Sequence, residues 1–315
     1  MRLAPLRPNA DPILRHALSR ASREIPTRYL YDATGAAFFE QIVSLPEYYQ
    51  ARTESALLAR HASELVASVA PRALVELGVG SGDKTRYLVD ALARLGGGRA
   101  VIVQDVHAAS ATRAAMRLDA LHDHVVVRAA SGDFLRQLPR PPRGPGRLWA
   151  LLGSTFGNLG VDTGRTLLRR IAARSDARDT LLLGLDLAHD PAALERAYND
   201  SAGVTAAFNL NALRHLNRAA DADFDTGAFE HVARFDRARS RIEMLLRARR
   251  SMDVTVRSLG LRFHLARGAA LRTEISEKHT RQSLADRAEG TGLRLERFVA
   301  DPTSRYALAV LRVHS

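Results

Sequence analysis

The 315-residue chain contains no cysteine, which excludes disulfides, thiolate metal sites and cysteine nucleophiles. Lysine is nearly absent too: of 46 basic residues, only Lys84 and Lys278 are lysines. Arginine therefore carries almost all of the formal net charge of +12, a balance that raises the question of a nucleic-acid partner. The arginines, however, are scattered through alanine-rich helical stretches. Their densest cluster, "RFDRARSRIEMLLRARR", lacks the interleaved aromatics of a single-strand binder, so no nucleic-acid partner is expected. No apolar run approaches the roughly 20 residues needed to cross a bilayer, and no membrane partner is expected either. The opening "MRLAPLRPNADP" has no apolar segment leading to a small-residue cleavage site, and the chain reads as cytoplasmic. Aromatic residues make up only 6%. Yet Tyr29, Tyr31, Phe38, Phe39, Tyr48 and Tyr49 all fall within "TRYLYDATGAAFFEQIVSLPEYYQART", which marks a packed or ligand-lining region.

What is present has the rhythm of an α/β protein. "PILRHALSRASREI" and "ESALLARHASELVASV" carry apolar residues at helical spacing. From Ala73 strands and helices alternate: "ALVELGV", "RAVIVQDV", "VVVRAASGDF", "RLWALLGSTFGN" and "DTLLLGLDL" read as strands, with helices between most of them. Short apolar strands without clean alternation fit a parallel sheet covered on both faces. "PPRGP" reads as a surface loop. After Leu187 the pattern breaks into a mainly helical stretch, then into "RIEMLLRA", "DVTVRSL" and "LRFHLARGAALRTEIS", which read as antiparallel strands. "TRQSLADRAEGTG" reads as a helix, and "LRLERFVAD" with "RYALAVLRV" as a closing strand pair at the sheet edge. The expected architecture is a doubly wound domain over residues 62–195 plus 280–315. A second, mixed α+β domain is expected from 1–61 plus 196–279.

Gly78, Gly80 and Gly82 follow the first strand at alternate positions in "ELGVGSGDKT". Glycine lets the backbone turn tightly and approach a ligand, and the following helix presents its N-terminus. A phosphate-binding loop of the Gly-x4-Gly-Lys-Thr kind is not met, because Asp83 stands where glycine belongs and would repel a triphosphate. Asp105 closes the second strand, where a carboxylate can accept both hydroxyls of a ribose, a feature that a dinucleotide site shares. Asp133 and Phe134 in "SGDF" stand where an adenine amino group and ring would lie, and Glu76 precedes the glycines near a ligand ammonium. The ordered set favours S-adenosylmethionine over a nicotinamide cofactor. Against it stands the reading that Asp105 and Asp133 merely cap the following helices.

Methyl transfer asks a protein to hold an unprotonated nucleophile in line and to exclude water. Asn158 in "GSTFGN" offers a donor and an acceptor, and Tyr198 in "AYND" a hydroxyl. Glu274 and Ser276 in "TEIS" fall on one face of a strand. A carboxylate and a hydroxyl together suit the two nitrogens of an imidazole, although Glu274 equally reads as an exposed strand residue paired to an arginine.

Across nearly its whole length the chain resembles the histidine Nα-methyltransferases of ergothioneine biosynthesis. The stretches that carry the resemblance are "YLYDATGAAFFEQIVSLPEYYQARTE", "VELGVGSGDKTR", "LLGSTFGNL", "AYNDSAGVTAAFNLNAL", "ADFDTGAFEHVARF", "RIEMLLRA" and "TEIS". The resemblance implies a Rossmann-like class I methyltransferase sheet that binds S-adenosylmethionine, with S-adenosylhomocysteine as product. It also implies a second domain that holds L-histidine, and three successive methylations of the α-amine to the betaine hercynine. By position, Tyr31, Gly78, Lys84, Asp105, Asp133 and Phe134 are implied for the cofactor. Tyr48, Gly153, Asn158 and Tyr198 are implied around the amine and carboxylate, and Met244, Glu274 and Ser276 around the imidazole. Tyr48, Asn158 and Tyr198 are the implied catalytic set, and no metal is expected. The substrates would be L-histidine and its mono- and dimethyl forms, acted on by a monomer. Gln104, His107 and Glu277 depart from the family pattern, the last where a cysteine is common. A methyltransferase of another amino acid or histidine derivative is one alternative, and a catalytically idle cofactor-binding partner protein is another.

Overall fold

The computed structural model describes residues 11–141, 144 and 146–314, so the first ten residues and part of the "PPRGP" stretch lie outside it. Helices α1 (Pro12–Ser19), α2 (Ala33–Val43) and α3 (Tyr49–Val69) come first. Strands and helices then alternate through β1 (Ala73–Leu77), α4 (Thr85–Arg94), β2 (Arg99–Asp105), α5 (Ala108–Asp119), β3 (Val125–Ser131), β4 (Arg147–Leu151), α6 (Gly160–Ala172) and β5 (Thr180–Asp186). Next are α7 (Pro191–Arg196), α8 (Val204–Ala219), β6 (Phe229–Asp236), β7 (Arg241–Ala248), β8 (Met252–Val256), β9 (Leu261–Leu265) and β10 (Ala270–Glu277). The last elements are α9 (Arg281–Ala288), β11 (Leu293–Ala300) and β12 (Tyr306–Val313). Two compact units result: one joins Tyr49–His189 to the chain from Ser276 onward, the other joins the described residues up to Tyr48 to Asp190–Ile275.

The first unit is built on a seven-stranded sheet of order β11-β12-β5-β4-β1-β2-β3. β1 to β5 are mutually parallel, and the β11–β12 pair adds antiparallel to β5 at one edge. The two-residue period of the strands splits their apolar side chains between two cores. Leu74, Leu148, Ala150, Leu182 and Leu308 pack with Leu58 and Leu65 of α3, Leu88 and Leu92 of α4, and Leu118 of α5. Val75, Leu77, Trp149, Leu151, Leu181, Leu183 and Leu311 pack with Leu167, Leu168 and Ile171 of α6 and Leu284 of α9. Helices on both faces explain why the central strands are apolar throughout rather than alternating. This is the class I Rossmann-like methyltransferase fold.

In the second unit, β10, β7 and β6 form a three-stranded sheet, and β8 and β9 a separate hairpin. α8 packs on α2, β6 and β7. Its amide Asn209 is fully buried and ties three strands together: Nδ2 donates to the Leu245 carbonyl (3.1 Å) and to His231 Nδ1 (2.8 Å), while Oδ1 accepts from Thr273 Oγ1 (2.6 Å).

Several expected boundaries shift, each for a physical reason. Position 61/62 falls inside α3, a continuous helix that packs on α4 and β12 and so belongs whole to the sheet unit. Position 195/196 falls inside α7, which packs on β6. The chain rejoins the sheet unit at Ser276 rather than 280, because His279 N–H already bonds the Asp186 carbonyl (2.9 Å) at the end of β5. "LRFHLARGAALRTEIS" is two strands rather than one, broken by a turn closed from Ala269 N–H to the Ala266 carbonyl. β6 was hidden in the sequence by the arginine run. That run is in fact the β6–β7 hairpin, with Arg234 and Arg241 paired to Glu243 and Arg239 paired to Asp236.

Candidate active site

In an open parallel sheet ligands bind beyond the carboxyl ends of the strands, where the strand order reverses. Here the order reverses at β1, with β2 on one side and β4 on the other. The loop after β1 holds Gly78 at φ +75°, Gly80 at +56° and Gly82 at +80°, conformations that strain any side-chain-bearing residue. A β-carbon at Gly78 would meet only the Phe134 ring edge at 3.9 Å, and one at Gly80 would meet nothing within 4 Å, whereas at Gly82 it would crowd Ala114 of α5 at 3.2 Å. The first two glycines thus leave a cradle, and the third lets a helix pack. Asp105 lies beside the cradle: Oδ2 accepts from Gly80 N–H (3.0 Å) and Oδ1 from His107 N–H (2.9 Å). Asp133 Oδ1 accepts from Leu135 N–H (2.8 Å). Asp105 therefore ties the glycine loop to the exit of β2, Asp133 braces its own turn, and α5 itself has no side-chain cap. Gln104 turns away to the Gln137 carbonyl (3.0 Å) and His107 to Ser110 Oγ (2.8 Å). Glu76 is buried in β1 with Oε2 lacking a hydrogen-bond partner, and burial pushes its pKa up to about 8.

Two buried polar clusters near these strand ends went unread in the sequence. In the first, Glu54 of α3 is fully buried; its carboxylate accepts from Lys84 Nζ (2.6 Å) and from Gly153 N–H (2.9 Å). Lys84 and Gly153 were both expected site residues, and Glu54 is what joins them. In the second, Asp186 ends β5 and is fully buried. It accepts from Tyr49 Oη (2.6 Å), Gln50 Nε2 (3.2 Å) and Lys278 Nζ (2.7 Å). Tyr49 Oη also contacts His189 Nε2 (2.5 Å). Lys278 Nζ donates in turn to Ser276 Oγ (2.7 Å). Asn158 ends the short 3-10 turn Thr155–Asn158 after β4, partly exposed. Glu277, the departure noted above, is buried and ion-paired to Arg287 (3.1 Å). The neighbouring His279 is driven by burial down to about 3 and stays neutral.

In the other unit, Tyr31, Tyr48 and Tyr198 are linked by rings in edge-on contact. Tyr31 lies 5.6 Å from Phe39, Phe39 lies 6.3 Å from Tyr48, and Tyr48 lies 6.3 Å from Tyr198. The aromatic-rich stretch is thus partly a core, closed by Phe208 of α8 at 5.4 Å from Tyr31, and partly the place where the expected tyrosines meet. His231 Nε2 donates to the Tyr198 carbonyl (2.8 Å), a tautomer fixed because Asn209 donates to Nδ1; burial lowers its pKa. Met244 is buried on β7, and its carbonyl accepts from Thr273 Oγ1 (3.1 Å). Glu274 follows Thr273 on β10 and is buried, which removes the reading of an exposed strand residue. On the neighbouring strand Glu243 gathers Arg234, Arg241 and Arg272, and these hold its carboxylate below the usual range. Ser276 stands two residues beyond Glu274 on the same strand.

Comparison with known proteins places these residues in context. The family described as histidine-specific, S-adenosylmethionine-dependent methyltransferases matches residues 10–313. A histidine N-α-methyltransferase of Mycolicibacterium smegmatis is 39% identical over 297 residues, covering 94% of this chain and 92% of its own. One of Mycobacterium tuberculosis is 39% identical over 293 residues, covering 93% and 91%. The crystal structure of a DUF574-family protein of Streptomyces avermitilis superposes with a TM-score of 0.51 over 90% of this chain and 92% of that one; at 12% identity the likeness is one of fold.

Proposed function

The chain belongs to the family of histidine-specific, S-adenosylmethionine-dependent methyltransferases, and on that premise we propose that it converts L-histidine to its Nα-trimethyl betaine, hercynine, by three successive methylations. The observation that carries the reading is the Glu274–Ser276 pair in β10, a buried carboxylate and a buried hydroxyl two residues apart. Their complementary hydrogen-bonding roles match a neutral imidazole, which has one N–H and one lone pair. A pocket with its own buried polar groups rejects amino acids that lack the matching atoms more sharply than it rejects size variants.

The residues on the sheet fit the cofactor. The cradle at Gly78 and Gly80 is open where a β-carbon would project, and Glu76 offers a buried oxygen without a partner. Gly78, Lys84, Asp105, Asp133 and Phe134 would hold S-adenosylmethionine there, with Tyr31 contributed by the aromatic stretch. The bound cofactor supplies an electrophilic methyl group on a sulfonium sulfur. The protein's task is then positional. Asn158 and Tyr198 grip the α-carboxylate, Gly153 lines the amine's surroundings, and Met244, Glu274 and Ser276 fix the ring. Tyr48 steers the amine; its aromatic face also suits the trimethylammonium that accumulates over three rounds. Among the described residues no strong base is dedicated to the amine; already partly deprotonated near neutral pH, or relieved of its proton by water, it attacks the methyl group in line. An enzyme of this kind needs only its small-molecule substrates, and we read it as a monomer of the cytoplasm.

The test is to incubate the purified protein with S-adenosylmethionine and each amino acid separately and to follow mass gains of one, two and three methyl groups. Gains with histidine alone support the reading. Gains with another amino acid in its place, or none with any, overturn it.

A further inference from the structure

We infer that Lys278 is a positioning residue that sets the polarity of Ser276 and so makes this chain select the unprotonated nitrogen of the substrate ring. The inference rests on the proposed reading that Ser276 meets an imidazole. Its physical basis lies within the sheet unit. Lys278 and Asp186 have fully buried side chains 2.7 Å apart, so the ammonium is pinned against the carboxylate. Asp186 is itself fixed by Tyr49 and Gln50 from α3, and its N–H bonds Ser154 Oγ (3.1 Å). From this anchored position Lys278 Nζ reaches Ser276 Oγ at 2.7 Å.

An ammonium has three donors and no acceptor, whereas a serine hydroxyl has one donor and accepts through its lone pairs. The Lys278–Ser276 bond therefore has a single possible direction: Ser276 accepts. Its hydroxyl hydrogen is turned away from Lys278 and given to another group. Facing an imidazole, Ser276 is a donor and meets the nitrogen that carries a lone pair. Glu274 is then left to accept from the ring N–H. The pair reads not merely a polar ring but a ring with one acceptor and one donor in a fixed order. A ring bearing N–H at both nitrogens would set hydrogen against hydrogen at Ser276, a repulsive element that sharpens specificity.

The experiment compares histidine with 2-oxohistidine, whose imidazolone ring carries N–H at both positions, in the full chain with S-adenosylmethionine. Three proteins are used: the wild type, the charge-neutral double variant Lys278→Met/Asp186→Asn, and Ser276→Ala. The double variant avoids leaving Asp186 charged, buried and unpaired, and retained binding of S-adenosylhomocysteine reports that it is folded. The wild type is expected to prefer histidine in kcat/KM by more than about tenfold. Both variants should lose most of that preference, with the loss for histidine concentrated in KM rather than kcat. A merely structural role for Lys278 would lower activity toward both rings together and leave their ratio intact. An unchanged ratio in the folded double variant overturns the inference; where that variant does not fold, an unchanged ratio in Ser276→Ala does the same. A wild type that methylates 2-oxohistidine as well as histidine also overturns it. A wild type inactive on histidine overturns the proposed function and the inference together.

Discussion

Glu76 offers the sharpest check on the electrostatics of the sheet. It is an acid buried in β1, and burial raises its pKa from the ordinary 4.5 to about 8; the Thr85 hydroxyl and the Lys84 charge oppose the shift only in part. Between those two values the folded protein holds a proton that the unfolded chain releases. Stability therefore falls as pH rises through this window, by about 1.4 kcal/mol per unit. Below the lower value both states are protonated and nothing is lost; above the upper value both are ionised and no further loss accrues. From pH 5 to pH 8 the accumulated cost is about 3–4 kcal/mol. Glu76→Gln replaces the neutral carboxylic acid with a neutral isostere, so the variant should match the wild type near pH 5 and exceed it by about 3 kcal/mol at pH 8. The assay is urea unfolding at pH 5, 6, 7 and 8, read as the difference between the two proteins so that every shared titration cancels. A difference that stays flat across the series would refute the reasoning, because it would mean that Glu76 is ionised throughout and compensated by a cation.

Three further perturbations are worth making. Glu54→Gln removes the charge that receives Lys84 Nζ and Gly153 N–H; because Lys84 is about a quarter exposed and can turn to water, the cost in denaturant unfolding should be about 2 kcal/mol rather than the larger value of a fully buried pair. Gly184→Ala would set a β-carbon 1.8 Å from Glu54 Oε1 and 2.8 Å from Tyr306 Oη, and should cost about 2–3 kcal/mol of stability by the same measurement, since either the strand or the carboxylate must move. Glu274→Ala should raise the KM for histidine at least about tenfold while kcat at saturation falls far less; a loss in kcat with unchanged affinity would deny Glu274 a binding role.

The fold was largely legible because its signals are local. β1 to β5 are short apolar runs bounded by glycines and polar turns, and α4, α5 and α6 carry a single apolar stripe each, so the alternation survives without tertiary information. The closing pair β11–β12 was legible at the sheet edge for the same reason. The misreadings fell where a local pattern was masked. β6 buries only Phe229 and Ala233 and leaves its other positions half-buried or exposed, so it shows no two-residue period, and the arginine-rich turn and partner beside it read as a charge cluster instead. The start of α3 was missed because its first turn belongs by composition to the aromatic stretch, and the boundary at 61/62 fell inside the helix that continues from it.

The site was legible only where one stretch of chain carries the chemistry, as in the glycine loop or in "TEIS". Its buried polar contacts are made across distances no window spans: Glu54 to Gly153 is 99 residues, Lys278 to Asp186 is 92, and Tyr49 to Asp186 is 137. One signal was nevertheless available. In a chain where arginine has taken almost every basic position, a retained lysine marks a place that arginine cannot fill. Both lysines meet buried carboxylates through a single atom, Lys84 at Glu54 and Lys278 at Asp186 with Ser276. A planar guanidinium spreads its donors over a rigid fork, whereas an ammonium concentrates three on one compact nitrogen. Where a carboxylate and a hydroxyl must both be reached at 2.7 Å from one enclosed point, the compact head is the one that fits. The scarcity of lysine, which at first speaks only of composition, thereby points to two buried carboxylates, Glu54 and Asp186, that the sequence did not otherwise mark.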